Sequence, residues 1–308
     1  MKKQNRGSFL AILAISLVCF SGLLRAAHLP GPLVSTSWLA ENKDNVTLLD
    51  IRASTKSFVA RGHIPAANLV DFKLIRVDRV LEGQKIPAMQ IGRLGFEKMM
   101  RASGVSNGRP VVITYPEGAL IFATRLYWSL KYYGHQHISI LDGGTTKWFR
   151  ERRGFEKQSQ QISRGDFTAT KGDTSLLASR EDVLNAEKQG IQLLDARSQA
   201  FYLGTVKKRS VKKAGHIQGA KSFPQELLED PTGINAFTSA ATLKNLAKVL
   251  AVDVSKPTIT YCNSGLQASG NWFVMHELLG NKNTKLYDAS MLEWGVYKSS
   301  PVKGVYAE

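Results

Sequence analysis

The chain has 308 residues, of which 43% are apolar and 21% are charged. These proportions exclude a disordered tail, a collagen and a polytopic membrane protein, and they fit a globular protein of about two domains. The formal net charge of +16 attracts anions of every kind, including nucleic acid, acidic lipid and small oxyanions. With two cysteines, the chain is neither a disulfide scaffold nor a cysteine-rich zinc module.

The N-terminal segment is typical of a secretory signal. Three basic residues precede an uncharged apolar run over 9–24. This run is short for a membrane-spanning helix, which needs about 20 residues. We therefore predict that residues 1–27 are a cleaved signal peptide, with a retained anchor as the alternative, and that the protein is periplasmic. After cleavage, Cys262 is the only cysteine left, so no intramolecular disulfide can form.

Four short blocks of the first half recur in the same order in the second half. The pairs are 46–52 with 191–197, 62–67 with 215–220, 110–115 with 257–261, and 141–148 with 287–294. Four matches in one order indicate a duplicated domain. We predict an N-terminal domain over 35–150, a polar linker over 151–173 and a C-terminal domain over 174–300. The second copy carries an insertion at about 203–211.

Each copy alternates short β-branched runs with helical patterns. This alternation predicts an α/β fold in which a mainly parallel sheet is flanked by helices. In the first copy a helical pattern covers Ala119–Tyr133 and ends at Gly134; in the second, a helix follows Tyr261 and stops at Gly280. The predicted strands of the second copy are Ile191–Asp195, Thr258–Tyr261 and Lys285–Tyr287.

Cys262 stands between a predicted strand and the helix that follows it. In such sheets ligands bind at the carboxyl ends of strands, where helix N-termini meet. A tight loop there directs backbone N–H groups at the sulfur, and Gly265 permits the curl that such a loop needs. Amides and helix dipole together stabilise a thiolate or a persulfide. A reactive thiol is therefore favoured over the alternative of a buried structural cysteine.

These motifs resemble the tandem-domain rhodaneses, which are sulfurtransferases of the thiosulfate and 3-mercaptopyruvate type. The loop 262–268 reads Cys-Asn-Ser-Gly-Leu-Gln-Ala, with the family's cysteine, glycine and alanine at the family's spacing. The aspartate-x-arginine strand ends, the Gly-His-Ile turns and the late Asp…Trp pairs also match. The resemblance covers about residues 35–300 and implies two similar rhodanese-like domains. Pro116 takes the cysteine's place in the first copy, so the resemblance implies that this domain is inactive.

The resemblance also implies the chemistry. Cys262 would take a sulfane sulfur from a small anionic donor, become a persulfide, and pass the sulfur to a thiol or to cyanide without a cofactor or a metal. The implied substrate-binding residues are Asn263, Ser264, Gly265, Leu266, Gln267, Ala268 and Arg197. For Arg197, the spacing of two from Asp195 favours a buried ion pair that holds the loop, with a substrate contact as the alternative.

Two positions depart from the family pattern. Family members carry a second arginine four residues after the first, where this chain has Phe201. The thiosulfate type carries a lysine before the loop glycine, where this chain has Ser264. The pair Ser264-Gly265 is closer to the 3-mercaptopyruvate type, so thiosulfate is the less favoured donor.

Several other residues carry weaker signals. We predict that His63 and His216, in the Gly-His-Ile turns, are structural, with an acid/base role for His63 as the alternative. Trp148 and Trp294 are predicted to cap the core, although Trp294 could line the pocket. The basic cluster over 207–213 is predicted to be a solvated loop, with an acidic protein partner as the alternative.

Two other functions compete with the enzyme. The first is a sulfur carrier that holds a persulfide for a periplasmic partner without turning over small donors. The second is a cysteine-loop phosphatase, which is disfavoured because its loop ends in an arginine, where this chain offers Gln267 and Ser269. The sequence contains no zinc spacing, P-loop or dinucleotide fingerprint. We expect no nucleic-acid partner, and no membrane contact apart from an uncleaved N-terminal anchor.

Overall fold

The computed structural model describes residues 28–158 and 161–306. The predicted signal peptide, residues 1–27, lies outside the described residues. Over the described ranges, every helix is too short or too polar to cross a membrane.

The first domain is built on a five-stranded parallel sheet of order β1-β7-β6-β2-β3. Its elements are β1 (Leu33–Val34), α1 (Thr36–Asn42), β2 (Thr47–Arg52), α2 (Lys56–Arg61), β3 (Asn68–Asp71), β4 (Arg76–Leu81), β5 (Gln84–Gln90), α3 (Arg93–Ala102), β6 (Val111–Thr114), α4 (Leu120–Tyr132), β7 (Ile138–Leu141) and α5 (Gly144–Arg150). Strands β4 and β5 form a separate antiparallel hairpin.

The second domain repeats the design on a four-stranded parallel sheet of order β10-β8-β11-β12. Its elements are α6 (Arg180–Leu184), β8 (Gln192–Asp195), α7 (Gln199–Leu203), β9 (His216–Ile217), β10 (Lys221–Ser222), α8 (Ala240–Val249), β11 (Thr258–Tyr261), α9 (Leu266–Trp272), β12 (Thr284–Leu286), α10 (Ser290–Trp294) and β13 (Val302–Lys303). A parallel bridge from Leu177 to Leu286 occupies the place of β1.

The sheets confirm the predicted fold class. Every residue of β2, β6, β8 and β11 is buried, as expected for parallel strands that are covered by helices on both faces. The observed strand β11 has the predicted bounds, and the neighbouring strands begin or end within one residue of the prediction. The helix after Tyr261 begins at Leu266 and continues as a π-helical segment, Phe273–Leu278, before Gly280.

The two domains share one continuous hydrophobic core. Helices α4 and α9, which follow equivalent strands, pack against each other, and the hydroxyls of Thr124 and Ser269 are hydrogen-bonded at 2.9 Å. Trp128 of the first domain and Trp272 of the second belong to the same buried cluster. The domains therefore meet along the helices that begin beside Pro116 and beside the cysteine.

The linker between the domains is packed against the first domain. Glu156 pairs with His63 as an antiparallel bridge. Further along, Phe167 is fully buried and its N–H donates to the carbonyl of Val105 at 3.0 Å. Residues 151–158 and 161–173 thus form part of the first domain's surface, although the polar composition of this segment resembles that of a tether.

Candidate active site

The cysteine loop, residues 262–268, connects the interior strand β11 to α9. Cys262 directly follows the strand and is 1% exposed. The N–H groups of Cys262 and Gly265 donate to Ser290 Oγ at 3.0 and 3.1 Å. The Ser290 hydroxyl donates in turn to the carbonyl of Tyr287 at 2.7 Å. A single buried hydroxyl therefore fixes the first turn of the loop.

Ser290 adopts an uncommon backbone conformation. Its φ of +52° lies in the left-handed region, which non-glycine residues rarely enter. The first domain has Gly144 at the equivalent position with φ +51°, and Pro116 in the cysteine's place has no N–H to satisfy. Backbone strain at Ser290 thus accompanies the hydroxyl that binds the Cys262 amide. The sequence analysis missed Ser290; the change from glycine to serine between the copies was the available signal.

The sequence predicts that several backbone N–H groups of the loop face the sulfur, and the structure shows that two of the loop amides are engaged elsewhere. The N–H groups of Cys262 and Gly265 are taken by Ser290. The N–H groups from Leu266 to Ala268, in the first turn of α9, have no acceptor within the helix.

Gly265 is held between two charged side chains. It lies at φ +72°, and a Cβ there would come within 2.6 Å of Asp288 Oδ1 and 2.8 Å of Arg125 Nη1. These two side chains form a buried ion pair of 2.6 Å, and Arg125 Nη1 also donates to the carbonyl of Gly265 at 3.4 Å. Asp288 Oδ2 accepts the N–H of Gln90 at 2.8 Å. Arg125 and Gln90 belong to the first domain, so the first domain supports the cysteine loop.

The structure does not place Arg197 as a substrate contact. Its guanidinium pairs with Asp195, donates to the carbonyl of Gly215 at 2.8 Å and reaches Asn263 Oδ1 at 3.5 Å, and the residue is 2% exposed. Burial alone would lower the pKa of Arg197, but hydrogen bonding and the charge of Asp195 outweigh burial and raise it. The first domain has the same arrangement at Arg52. These contacts agree with the favoured interpretation of Arg197 as a buried ion pair that holds the loop, and they also bring Arg197 within reach of Asn263.

The other residues of the cysteine loop are either buried or partly exposed. Asn263 is buried, its carbonyl accepts the N–H of Leu292 at 3.1 Å, and its Nδ2 has no hydrogen-bond partner among the described residues. Ala268 is also buried, and its carbonyl accepts the hydroxyl of Thr260 at 3.0 Å. The partly exposed residues are Ser264, Leu266 and Gln267.

The equivalent loop of the first domain is closed by the second domain. The Tyr115 hydroxyl, just before Pro116, donates to the carbonyl of Asn235 at 2.7 Å. The N–H of Gly118 donates to the side chain of Asn235 at 3.4 Å. This loop has no thiol, and a neighbouring segment occupies the position over it.

The two histidines have matching structural surroundings. His63 is fully buried, stacks on Phe58 with 3.6 Å between ring centroids and contacts the Phe58 carbonyl through Nδ1 at 3.2 Å. His216 stacks in the same way on Tyr202 at 3.8 Å. Because both copies keep this arrangement, including the copy without a cysteine, these contacts support a structural role and not the acid/base alternative for His63.

The two tryptophans lie in the cores of their domains. Trp148 Nε1 donates to the carbonyl of Gly154 at 2.7 Å, and Trp294 Nε1 donates to the carbonyl of Pro301 at 3.0 Å. Both residues are buried, which fits core caps.

The basic cluster is only partly a solvated loop. Lys213 Nζ donates to the carbonyls of Tyr297, Lys298 and Ser300, and burial followed by the charge of Arg180 lowers the pKa of Lys213. Lys207 Nζ donates to the Val211 carbonyl at 2.8 Å. The exposed cations of the segment with no such carbonyl partner are Lys208, Arg209 and Lys212.

Comparisons with known proteins identify the family of both domains. The family model for the rhodanese-like domain matches residues 35–151 and 180–296. A protein of Saccharopolyspora erythraea named "Putative thiosulfate sulfurtransferase" is 33% identical over 279 residues, covering 88% of this chain and 95% of that protein. The sulfur carrier protein TtuD of Thermus thermophilus is 32% identical over 289 residues, covering 90% and 97%. The crystal structure of SseA, a 3-mercaptopyruvate sulfurtransferase of Escherichia coli, superposes with a TM-score of 0.73 and 26% identity, covering 84% and 98%.

Proposed function

The chain belongs to the rhodanese family of sulfurtransferases, and we propose that Cys262 is the nucleophile that carries the transferred sulfur. One observation carries the proposal. The thiol lies at the end of an interior parallel strand, in a loop whose backbone is held by Ser290. The N–H groups in the first turn of α9, which follows, have no acceptor within that helix. Such surroundings favour a thiolate and a persulfide anion at the same place.

The proposed reaction has two steps. With thiosulfate, the Cys262 thiolate attacks the outer sulfur, the sulfur–sulfur bond breaks, and sulfite leaves with the electron pair. With 3-mercaptopyruvate, the carbon–sulfur bond breaks and the electron pair leaves on the enolate of pyruvate, which then takes a proton. In the second step cyanide or a thiolate attacks the terminal sulfur of the persulfide, which releases thiocyanate or a new persulfide and restores the Cys262 thiolate.

The burial of Cys262 limits the donors. Because the sulfur is buried, a small linear molecule can reach it more readily than a bulky one. Thiosulfate and 3-mercaptopyruvate are both small anions with a terminal sulfur, and the positive charge of the chain attracts either of them. The donor class is therefore a small anionic sulfane or thiol compound, and Ser264-Gly265 favours 3-mercaptopyruvate.

Steady-state kinetics of Cys262→Ser test the proposal. The hydroxyl oxygen is less acidic and less polarisable than sulfur, so transfer from both donors to cyanide should disappear. Ser210→Ala, which changes an exposed hydroxyl in the insertion, serves as the matched control and should keep wild-type turnover. If the serine variant retains more than about a tenth of the wild-type rate, Cys262 is not the nucleophile.

A second candidate is a dedicated sulfur carrier. Two observations favour it: the relative TtuD is named a sulfur carrier protein, and Phe201 and Ser264 replace the cations that the family uses for small donors. An enzyme discharges a preloaded Cys262 persulfide rapidly to cyanide or dithiothreitol. A carrier keeps its sulfur until a partner from periplasmic extract is added. The exposed cations Lys208 and Lys212 are candidates for docking that partner, so their neutralisation should slow only discharge to extract.

The cellular location is part of the proposal. The basic start and apolar run of the N-terminal segment support export to the periplasm and cleavage near residue 27. Cell fractionation followed by N-terminal sequencing tests this location. A mature protein that starts near His28 in the periplasmic fraction agrees with it, and a full-length cytoplasmic protein contradicts it.

A further inference from the structure

Each domain extends a segment over the other domain's loop. In the first domain the hairpin of β4 and β5 follows a 3-10 turn over 72–75; in the second, residues 229–237 follow a 3-10 turn over 225–228. Both segments end in a matching contact. The N–H of Gln90 donates to Asp288, and the N–H of Phe237 donates to Asp142 Oδ1 at 2.9 Å. The hairpin therefore lies beside the cysteine loop as residues 229–237 lie beside the inactive loop.

Arg76 begins this hairpin next to the cysteine loop. It pairs in register with Gln90, whose N–H binds the Asp288 carboxylate that borders Gly265. Its guanidinium lies 4.2 Å from the ring centroid of Phe72, and its Nε is buried with no hydrogen-bond partner among the described residues. The side chain remains partly exposed. The Arg76 side chain is therefore accessible to solvent, and its Nε–H has no acceptor among the described residues.

The carboxylates near Arg76 are already engaged. Asp288 is paired with Arg125, and Asp78 is paired with Lys85 at 2.7 Å. Burial first and the neighbouring Arg125 charge second lower the pKa of Arg76, and the Asp78 charge offsets only part of this effect. The equivalent residue over the inactive loop is Glu229, of opposite charge, whose Oε1 accepts from Gln225 at 3.1 Å. The two loops therefore face side chains of opposite sign.

We propose that Arg76, from the inactive domain, binds the oxyanion end of the sulfur donor, a sulfonate or a carboxylate. This proposal rests on the proposed function, because the bound anion is the donor that charges Cys262. It accounts for the two departures of the chain from its family. Other family members carry cations in the second domain at the positions of Phe201 and Ser264. This chain has no cation at either position, and Arg76 supplies one from the first domain instead. Arg76 is then the residue that selects anionic donors.

Alkylation of the thiol tests the proposal without any sulfur transfer. Iodoacetate carries a carboxylate and iodoacetamide does not, while both lose iodide to the Cys262 thiolate. The ratio of the two rates therefore reports an anion site beside the sulfur. Arg76→Gln should lower the iodoacetate-to-iodoacetamide ratio by about 10-fold, the effect of losing one charge-assisted hydrogen bond. Arg76→Lys should restore part of the ratio, and Arg164→Gln, which removes an exposed charge from the linker, should leave it unchanged.

Donor kinetics identify the oxyanion. Arg76→Gln should raise KM by about 10-fold for whichever donor uses the site, with kcat unchanged. An effect on thiosulfate alone assigns a sulfonate site, one on 3-mercaptopyruvate alone assigns a carboxylate site, and one on both assigns a general oxyanion site. An unchanged alkylation ratio and unchanged KM values in an active Arg76→Gln enzyme would overturn the Arg76 assignment alone. A wild-type protein whose Cys262 reacts with iodoacetamide but accepts no sulfur would instead contradict the proposed function.

Discussion

Replacing Ser290 is the sharpest way to test how the cysteine loop is held. Ser290→Ala removes the acceptor of two buried N–H groups, those of Cys262 and Gly265, while the φ of +52° stays occupied by a residue with a Cβ. A buried donor left without a partner costs about 1–3 kcal/mol, so the loss of the acceptor of two such donors should lower the unfolding free energy of the alanine variant by about 2–6 kcal/mol.

Ser290→Gly separates the hydroxyl from the strain. It loses the same two acceptor contacts but relieves a left-handed conformation that costs about 1–2 kcal/mol. Glycine also has more conformational freedom in the unfolded chain, and this offsets about 0.5–1 kcal/mol of the stabilisation. We therefore expect the glycine variant to be less stable than wild type and about 0.5–1 kcal/mol more stable to unfolding than the alanine variant.

Urea unfolding followed by tryptophan fluorescence measures all three proteins, provided that the m-values agree. Gly144, at the same φ in the first domain, shows that this backbone shape exists without the hydroxyl, so glycine is the proper reference. An alanine variant within about 0.5 kcal/mol of wild type would refute the role of the Ser290 hydroxyl.

Three further predictions concern other parts of the molecule. Arg125→Met leaves the Asp288 carboxylate buried without its cation, so it should cost about 3–5 kcal/mol of stability in urea unfolding, and an unchanged midpoint would contradict the support of the loop by the first domain. Burial alone would raise the pKa of Glu277, but the hydrogen bond from His276 and two nearby lysines lower it to about 2. Because the pKa of Glu277 is depressed in the folded state, its charge stabilises the fold above about pH 4.5, and this stabilisation is lost as the pH falls toward 2. Over that interval the urea midpoint of Glu277→Gln should therefore fall less than the midpoint of wild type. Pro116→Cys should confer no transfer on a protein whose own nucleophile is removed, because the loop 117–119 lacks the spacing of the active loop; measurable turnover would contradict this reading of the first domain.

The repeat made much of the fold predictable. The first pair of blocks contains Asp50 and Asp195, each two residues before an arginine, and the buried Asp–Arg pairs that this spacing indicates are present in both domains. The same periodicity predicted β11 and the helix after it, because a buried parallel strand followed by an amphipathic segment has few other solutions.

Contacts between the copies could not be predicted in the same way. Arg125 reads as one polar residue in an otherwise apolar helix, and nothing local indicates that it meets Asp288, distant in sequence. The packing of the linker is also hidden, because its polar composition resembles that of a tether while Phe167 fills a gap in the first domain. Ser290 was missed because its role depends on a backbone conformation that sequence patterns do not report.

The central claim is that sulfur travels on Cys262, and mass spectrometry tests it most directly. Cys262 is the only cysteine among the described residues, so a single peptide reports its state. After incubation with 3-mercaptopyruvate or thiosulfate, we expect this peptide to gain the mass of one sulfur atom and to lose it when cyanide is added, with formation of an equal amount of thiocyanate. Thiocyanate formation while the Cys262 peptide stays unmodified, or a sulfur adduct that neither cyanide nor any thiol removes, would contradict the account.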